Sequence, residues 1–155
     1  MVCLQLPPCS PASVTLQPPV LVIDAGTALT FTGLDAENRF AGGAILPGLR
    51  TQLRSLHQST AELPAIELPE QLPPKWAFNT PDSICSGVLY SVLAAVQDFG
   101  EEWLQLCGGK GAIVFTGGDG KWLLTQSQTR FSSFTVNVTF DPNLIFWGIQ
   151  AVNPI

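Results

Sequence analysis

Short apolar runs alternate with glycine- and proline-rich turns along the first part of the chain. Residues 20–23 form an uninterrupted β-branched and leucine run that ends at Asp24 and Gly26. This pattern predicts a buried strand closed by a tight turn. Residues 29–32 are predicted to return as its hairpin partner, and residues 40–46 to form a third strand.

A short amphipathic helix is predicted next, because Leu49, Leu53 and Leu56 recur at helical spacing. Residues 61–79 contain four prolines among three glutamates and are predicted to be a connector without regular structure.

A long helix is predicted to begin with Thr80 as its N-cap and Pro81 at its first helical position, and to end before Gly108. Residues 112–115 are predicted to form a second buried strand, which runs into the glycine-rich turn 116–120.

A last helix is predicted after Asp141 and Pro142. Residues 1–19 carry five prolines and no charge, and we expect an unstructured leader there. Residues 20–155 are therefore predicted to form one mixed α/β domain of strands and covering helices.

Charged residues make up only 12% of the 155 residues, and the formal net charge is −5. An acidic chain with no run of Lys or Arg lacks the basic surface that binds nucleic acid or anionic lipid. The apolar runs are too short to span a membrane, and no early positive charge marks a targeting signal. We expect a cytoplasmic protein without nucleic-acid or membrane partners, in which Cys3, Cys9, Cys85 and Cys107 are reduced thiols.

Two motifs place small, flexible residues directly after a predicted strand, namely 24–27 (DAGT) and 116–120 (TGGDG). Glycine lets backbone N–H groups approach a phosphate, and an aspartate oxygen suits a cation, so the pair resembles two parts of a nucleotide clamp. The alternative is that both motifs only make tight turns. His57 has no cysteine or second histidine near it and is interpreted as a bystander.

Five segments in order resemble the C-terminal half of a type III pantothenate kinase, most closely its cyanobacterial form: 24–33 (DAGTALTFTG), 42–49 (GGAILPGL), 79–87 (NTPDSICSG), 116–120 (TGGDG) and 141–149 (DPNLIFWGI). The resemblance implies an actin-like, ribonuclease H-like fold of two similar halves. It also implies a homodimer that transfers phosphate from ATP to pantothenate, with Mg²⁺ and a monovalent cation, potassium or ammonium, as cofactors.

By the same resemblance, Asp24 is expected to bind the monovalent cation and Thr27 to contact ATP. Gly117 and Gly118 match the glycine pair near the adenosine. Thr80 is expected to bind pantothenate, and Gly42 and Gly43 match a turn beside the substrate pocket.

The chain departs from the family pattern before Asp24. No acidic residue precedes Asp24, so neither the family's D-x-G-N-T phosphate loop nor its catalytic aspartate has a counterpart, and we assign no catalytic residue. We therefore expect a truncated kinase sequence, weakly active or inactive, with a leader of foreign origin. The alternative is a non-catalytic binding or transcriptional accessory protein built on the same half-domain.

Overall fold

The computed structural model describes residues 17–135 and 137–152, and for residues 135, 151 and 152 it describes the backbone alone. Within these residues the secondary structure consists of β1 (Val20–Ala25), β2 (Ala28–Leu34), β3 (Phe40–Pro47), α1 (Leu49–Ser59), α2 (Thr80–Leu106), β4 (Ala112–Thr116), α3 (Gly120–Arg130), a 3₁₀ turn (Ser132–Thr135), β5 (Val138–Phe140) and α4 (Leu144–Val152).

The described strands form one five-stranded sheet in the order β3-β2-β1-β4-β5. The first three strands make an antiparallel meander, whereas β4 and β5 run parallel to β1. The carboxyl ends of β1, β4 and β5 therefore meet at the same edge of the sheet. This order agrees with the mixed α/β, ribonuclease H-like half expected from the sequence resemblance.

The two faces of the sheet are covered unequally. The odd-numbered residues of β1 pack beneath α1, α2 and α3 in the larger core cluster. On the opposite face, Val20 and Val22 pack against Leu144 of α4. Because side chains alternate along a strand, Asp24 points to the α4 face, beyond the apolar residues that α4 covers.

Helix α2 is the central helix of the larger cluster. A Cβ atom at Gly33 would clash with the Trp103 ring, and one at Gly100 would clash with Phe134, so glycine at both positions lets α2 pack close to its neighbours. Among the described residues, α2 is the one helix long and apolar enough for a membrane span, and half of its most apolar stretch is buried inside the protein. Its packing accounts for its apolar composition.

The start of α2 differs from the sequence prediction. Asn79, not Thr80, is the N-cap, and its side-chain oxygen accepts a hydrogen bond from the Asp82 backbone N–H at 2.9 Å. Thr80 is the first helical residue. Asparagine caps a helix at least as well as threonine, so the boundary moves back by one residue.

The strands predicted from the sequence are confirmed, each extended by one to three residues, and so are the three predicted helices. The sequence patterns did not predict α3 or β5. Cys85 and Cys107 are free thiols, and burial raises the pKa of both. Cys3 and Cys9 lie outside the described residues, as does most of the expected leader, although the carbonyl of Pro19 already accepts a hydrogen bond from Ala112.

Candidate functional site

The candidate site lies where β1 and β4 end side by side. Asp24 is directly opposite Thr116 in the parallel register. The loops that follow the two strands are joined by a hydrogen bond of 3.0 Å from the Asp119 backbone N–H to the Ala25 carbonyl. The structure thus brings the two glycine-containing motifs together at one edge of the sheet.

Gly117 allows this close approach. Its φ of 84° lies in the left-handed region, and a Cβ atom there would clash with Oδ1 of Asp24 and with the Ala25 carbonyl. Gly118 is exposed and has open space around its Cα atom. The first glycine therefore shapes the loop against Asp24, and the second leaves the backbone accessible to a ligand.

A third loop, between β3 and α1, closes onto the same edge. The Thr27 carbonyl accepts hydrogen bonds from the Gly48 backbone N–H at 2.9 Å and from the Thr51 hydroxyl at 2.8 Å. A Cβ atom at Gly48 would clash with the Gly26 carbonyl. These contacts fix the backbone of the β1–β2 turn and leave Thr27 exposed.

Asp24 and Asp119, two of the aspartates at this edge, have different surroundings. The Asp24 carboxylate is partly buried and has no hydrogen bond or ion pair within the described residues, and desolvation raises its pKa. Asp119 is buried, and its Oδ1 accepts a hydrogen bond from Nε of Arg50 at 2.9 Å. Asp24 is therefore the carboxylate left free for a ligand, and Asp119 is part of the scaffold.

Thr80 lies apart from this edge. It is exposed at the start of α2, which packs on the face opposite Asp24. It borders an open pocket of about 480 Å³, and neither Asp24 nor Thr27 lines that pocket. The lining residues are Leu63, Ala77, Phe78, Asn79, Thr80, Ser83 and Ile84.

Gly42 and Gly43 also lie away from Asp24. They pair with Gly33 and Thr32 toward the far end of the sheet, whereas Pro47 pairs with Ala28 near the site. Pro47 lies four residue steps along the extended strand from Gly43, or about 13 Å. The structure therefore does not gather these glycines with Asp24, Thr27 and Gly117.

A divalent metal centre built from protein side chains is absent from the described part of the chain. No group of three or more His, Cys, Asp or Glu side chains that could hold a metal ion occurs there. His57 is exposed, with Nδ1 at 2.7 Å from the Leu63 carbonyl.

Sequence reasoning missed two features of this edge. The helical spacing of Leu49, Leu53 and Leu56 assigned no contact to Arg50, yet Arg50 reaches a carboxylate 69 residues further along the chain. Thr116 was noted within its motif but not as a site residue. Its hydroxyl is buried and has no hydrogen-bond partner within the described residues. No local sequence signal identifies either feature, because both depend on which strands are neighbours.

Comparisons with known proteins agree with this geometry. The family profile of type III pantothenate kinases matches residues 10–102, a range that starts inside the expected leader. Type III pantothenate kinases from Nostoc sp. and Synechocystis sp. are 47% and 46% identical over 86% and 87% of this chain. The one from Gloeobacter violaceus is 45% identical over 84%.

The chain spans about half the length of these relatives, since it covers 49%, 52% and 54% of them. Among solved structures, that of a conserved Baf family protein from Campylobacter jejuni superposes with a TM-score of 0.59 at 23% identity, over 86% of this chain and 56% of the other. This likeness supports the fold alone, whereas the family match extends over more than half of the sequence. The chain belongs to the type III pantothenate kinase family.

Proposed function

We propose that this chain supplies part of the active site of an ATP-dependent kinase that phosphorylates pantothenate, the first step of coenzyme A synthesis. The observation that carries the proposal is the meeting of three loops around the free carboxylate of Asp24. Family membership supports the substrates, because the relatives that match over most of this chain are type III pantothenate kinases.

In this proposal the β1–β4 edge binds the nucleotide. Asp24 would hold a potassium or ammonium ion, which neutralises phosphate charge when bound. Thr27 would contact ATP through its exposed side chain, and Gly117 and Gly118 would lie beside the adenosine. Mg²⁺ would arrive with the phosphates, since it is usually held by one or two carboxylates together with substrate oxygens.

Pantothenate would bind near Thr80. The exposed Thr80 hydroxyl can donate a hydrogen bond to a carboxylate, and the adjoining pocket offers apolar walls such as Leu63 and Ile84. Gly42 and Gly43 would contribute backbone groups from β3, which is an edge strand of the sheet. Because Thr80 lies apart from Asp24, pantothenate bound at Thr80 would extend toward the sheet edge that carries Asp24.

The described residues bind and orient more than they transfer protons. Phosphoryl transfer depends chiefly on positioning and on neutralising charge on the transferred group. Asp24 and the backbone of the glycine loop serve those purposes. No acidic residue precedes Asp24. We propose that this chain contributes binding groups rather than the general base, and that it acts as a homodimer in the cytoplasm.

The alternative function, a transcriptional accessory protein, is not favoured. The Baf family structure is described as that of a transcriptional activator, but at 23% identity it supports the fold only. The relatives at 44–47% identity are kinases.

A chimera tests the proposal. Residues 20–152 would replace the matching segment of the Nostoc kinase, and ATP-dependent phosphorylation of pantothenate would be measured. We expect activity, a loss of about 10-fold or more with Asp24→Asn, and a raised KM for pantothenate with Thr80→Val. The control is the exposed substitution Asp98→Asn, which lies on α2 far from Asp24. A chimera that folds yet does not phosphorylate pantothenate would contradict the proposal.

A further inference from the structure

Thr116 is the last residue of β4 and lies beside Asp24. The two residues are partners in the parallel register. Their neighbours Val22 and Val114 are also partners and pack together on the α4 face, whereas Ile23 and Phe115 belong to the opposite core. Alternation along both strands therefore points the Thr116 hydroxyl to the same face as the Asp24 carboxylate.

The Thr116 hydroxyl is buried and unpaired. The residue is 1% exposed, and Oγ1 has no hydrogen-bond partner within residues 17–135 and 137–152. A valine would fill almost the same space without an unsatisfied polar atom, because it replaces the hydroxyl with a methyl group of similar size. A hydroxyl in such a position costs stability unless something binds it.

The neighbouring carboxylate is also free. No hydrogen bond or ion pair occupies Asp24 in the described part of the chain, while Asp119, another aspartate at this edge, is bound to Arg50. Gly117 keeps the side of the carboxylate clear, because any Cβ atom there would clash with Oδ1 of Asp24. Two unpaired oxygen groups thus face the same side at adjacent strand ends.

We propose that the Thr116 hydroxyl is a second protein ligand of the monovalent cation at Asp24. One carboxylate and one neutral oxygen balance a single positive charge, and the described residues contain no group of three or more His, Cys, Asp or Glu side chains that could hold a metal ion. The inference rests on the proposed function, which assigns the cation to Asp24. It adds a binding residue from a different strand and explains why a polar side chain is buried there.

The test measures cation binding by the 155-residue chain through its thermal unfolding midpoint. KCl is titrated against tetramethylammonium chloride at constant ionic strength. Potassium should raise the midpoint of the unsubstituted chain, because a ligand that binds the folded state stabilises it. Thr116→Val should weaken the apparent potassium affinity about fivefold, the value of one neutral oxygen contact, while Thr116→Ser should retain it.

Ser127 provides a matched control. Its hydroxyl is likewise buried without a partner in the described residues, but it lies in α3. Ser127→Ala should leave the potassium response unchanged, and Asp24→Asn should abolish it. If Thr116→Val does not fold, the apparent potassium affinities of Thr116→Ala and Thr116→Ser are compared instead, because these variants also differ by the hydroxyl.

The outcomes separate the two proposals. A potassium response that is unchanged in Thr116→Val would overturn the role of Thr116 while leaving the cation at Asp24. A chain without any response specific to potassium would overturn both. A response lost equally in Thr116→Val and Ser127→Ala would show a general effect of buried hydroxyls and would also overturn the assignment.

Discussion

Asp24 combines partial burial with the absence of a partner in the described residues. Desolvation disfavours the charged form of a carboxyl group, and here it raises the pKa above the ordinary value of 3.8. The folded chain therefore holds this proton more tightly than the unfolded chain does. A carboxylate kept in such surroundings opposes folding at neutral pH, as expected for a group maintained for binding.

This linkage gives a prediction for Asp24→Asn. Below pH 3.8 the Asp24 carboxyl group is protonated in both the folded and the unfolded chain and acts as an uncharged side chain. As the pH rises through its raised folded pKa, ionisation costs more in the folded chain than in the unfolded chain, and stability is lost. We expect the asparagine variant to be more stable than the unsubstituted chain at pH 7 in potassium-free buffer, with the difference shrinking toward pH 3.8. Urea unfolding at a series of pH values measures it, with the exposed Asp98→Asn as the reference substitution. A less stable asparagine variant at pH 7 would contradict the argument.

At the scale of secondary structure, local patterns were sufficient where an element carries its own signals. The strand ending at Asp24 has a β-branched run followed by a glycine turn, and α2 has a proline start and a glycine end. Helix α3 has neither. It starts at Gly120, without a side-chain cap hydrogen bond, and its buried residues give only a weak amphipathic pattern. β5 is three residues long and is defined by pairing with β4.

The site depends on contacts between elements, which is why only part of it was predicted. Glycine turns after strands indicated the Asp24 and Gly117 loops individually. Their meeting required β4 to lie parallel to β1, a pairing across about ninety residues of chain. Likewise, the Arg50–Asp119 pair links the start of α1 to the loop before α3. No local spacing encodes such a contact.

We therefore predict that replacing Arg50 destabilises the fold, because Arg50 holds Asp119 in the glycine-rich loop before α3. Asp119 is buried, and Arg50→Gln would leave its carboxylate without its cation, so we expect a loss of about 1–3 kcal/mol in the free energy of unfolding. The exposed Glu67, at 3.7 Å from the same guanidinium, offers the control. Glu67→Gln should change stability by less than about 0.5 kcal/mol. Urea unfolding compares the two, and equal losses would show that Asp119 does not depend on Arg50.

At the scale of the whole molecule, helices cover the two faces of the sheet unequally. Three helices cover the first face and bury most of the core. The second face carries α4, the free carboxylate of Asp24 and the Thr116 hydroxyl. Three large apolar side chains of α4 remain exposed, namely Ile145, Phe146 and Ile149. The less covered face is therefore the one on which a nucleotide and its cation would be bound.

The last prediction concerns turnover by the 155-residue chain assayed by itself. A general base contributes roughly 10²- to 10⁴-fold to transfer onto a hydroxyl group, and no acidic residue before Asp24 is present to supply it. The described loops also supply just a part of the groups that would contact the phosphates of ATP. We therefore expect little or no ADP release stimulated by pantothenate, and weak nucleotide binding, with the intact Nostoc kinase as the positive control in the same coupled assay. Turnover comparable to that kinase, abolished by Asp24→Ala, would show that another residue of this chain acts as the base.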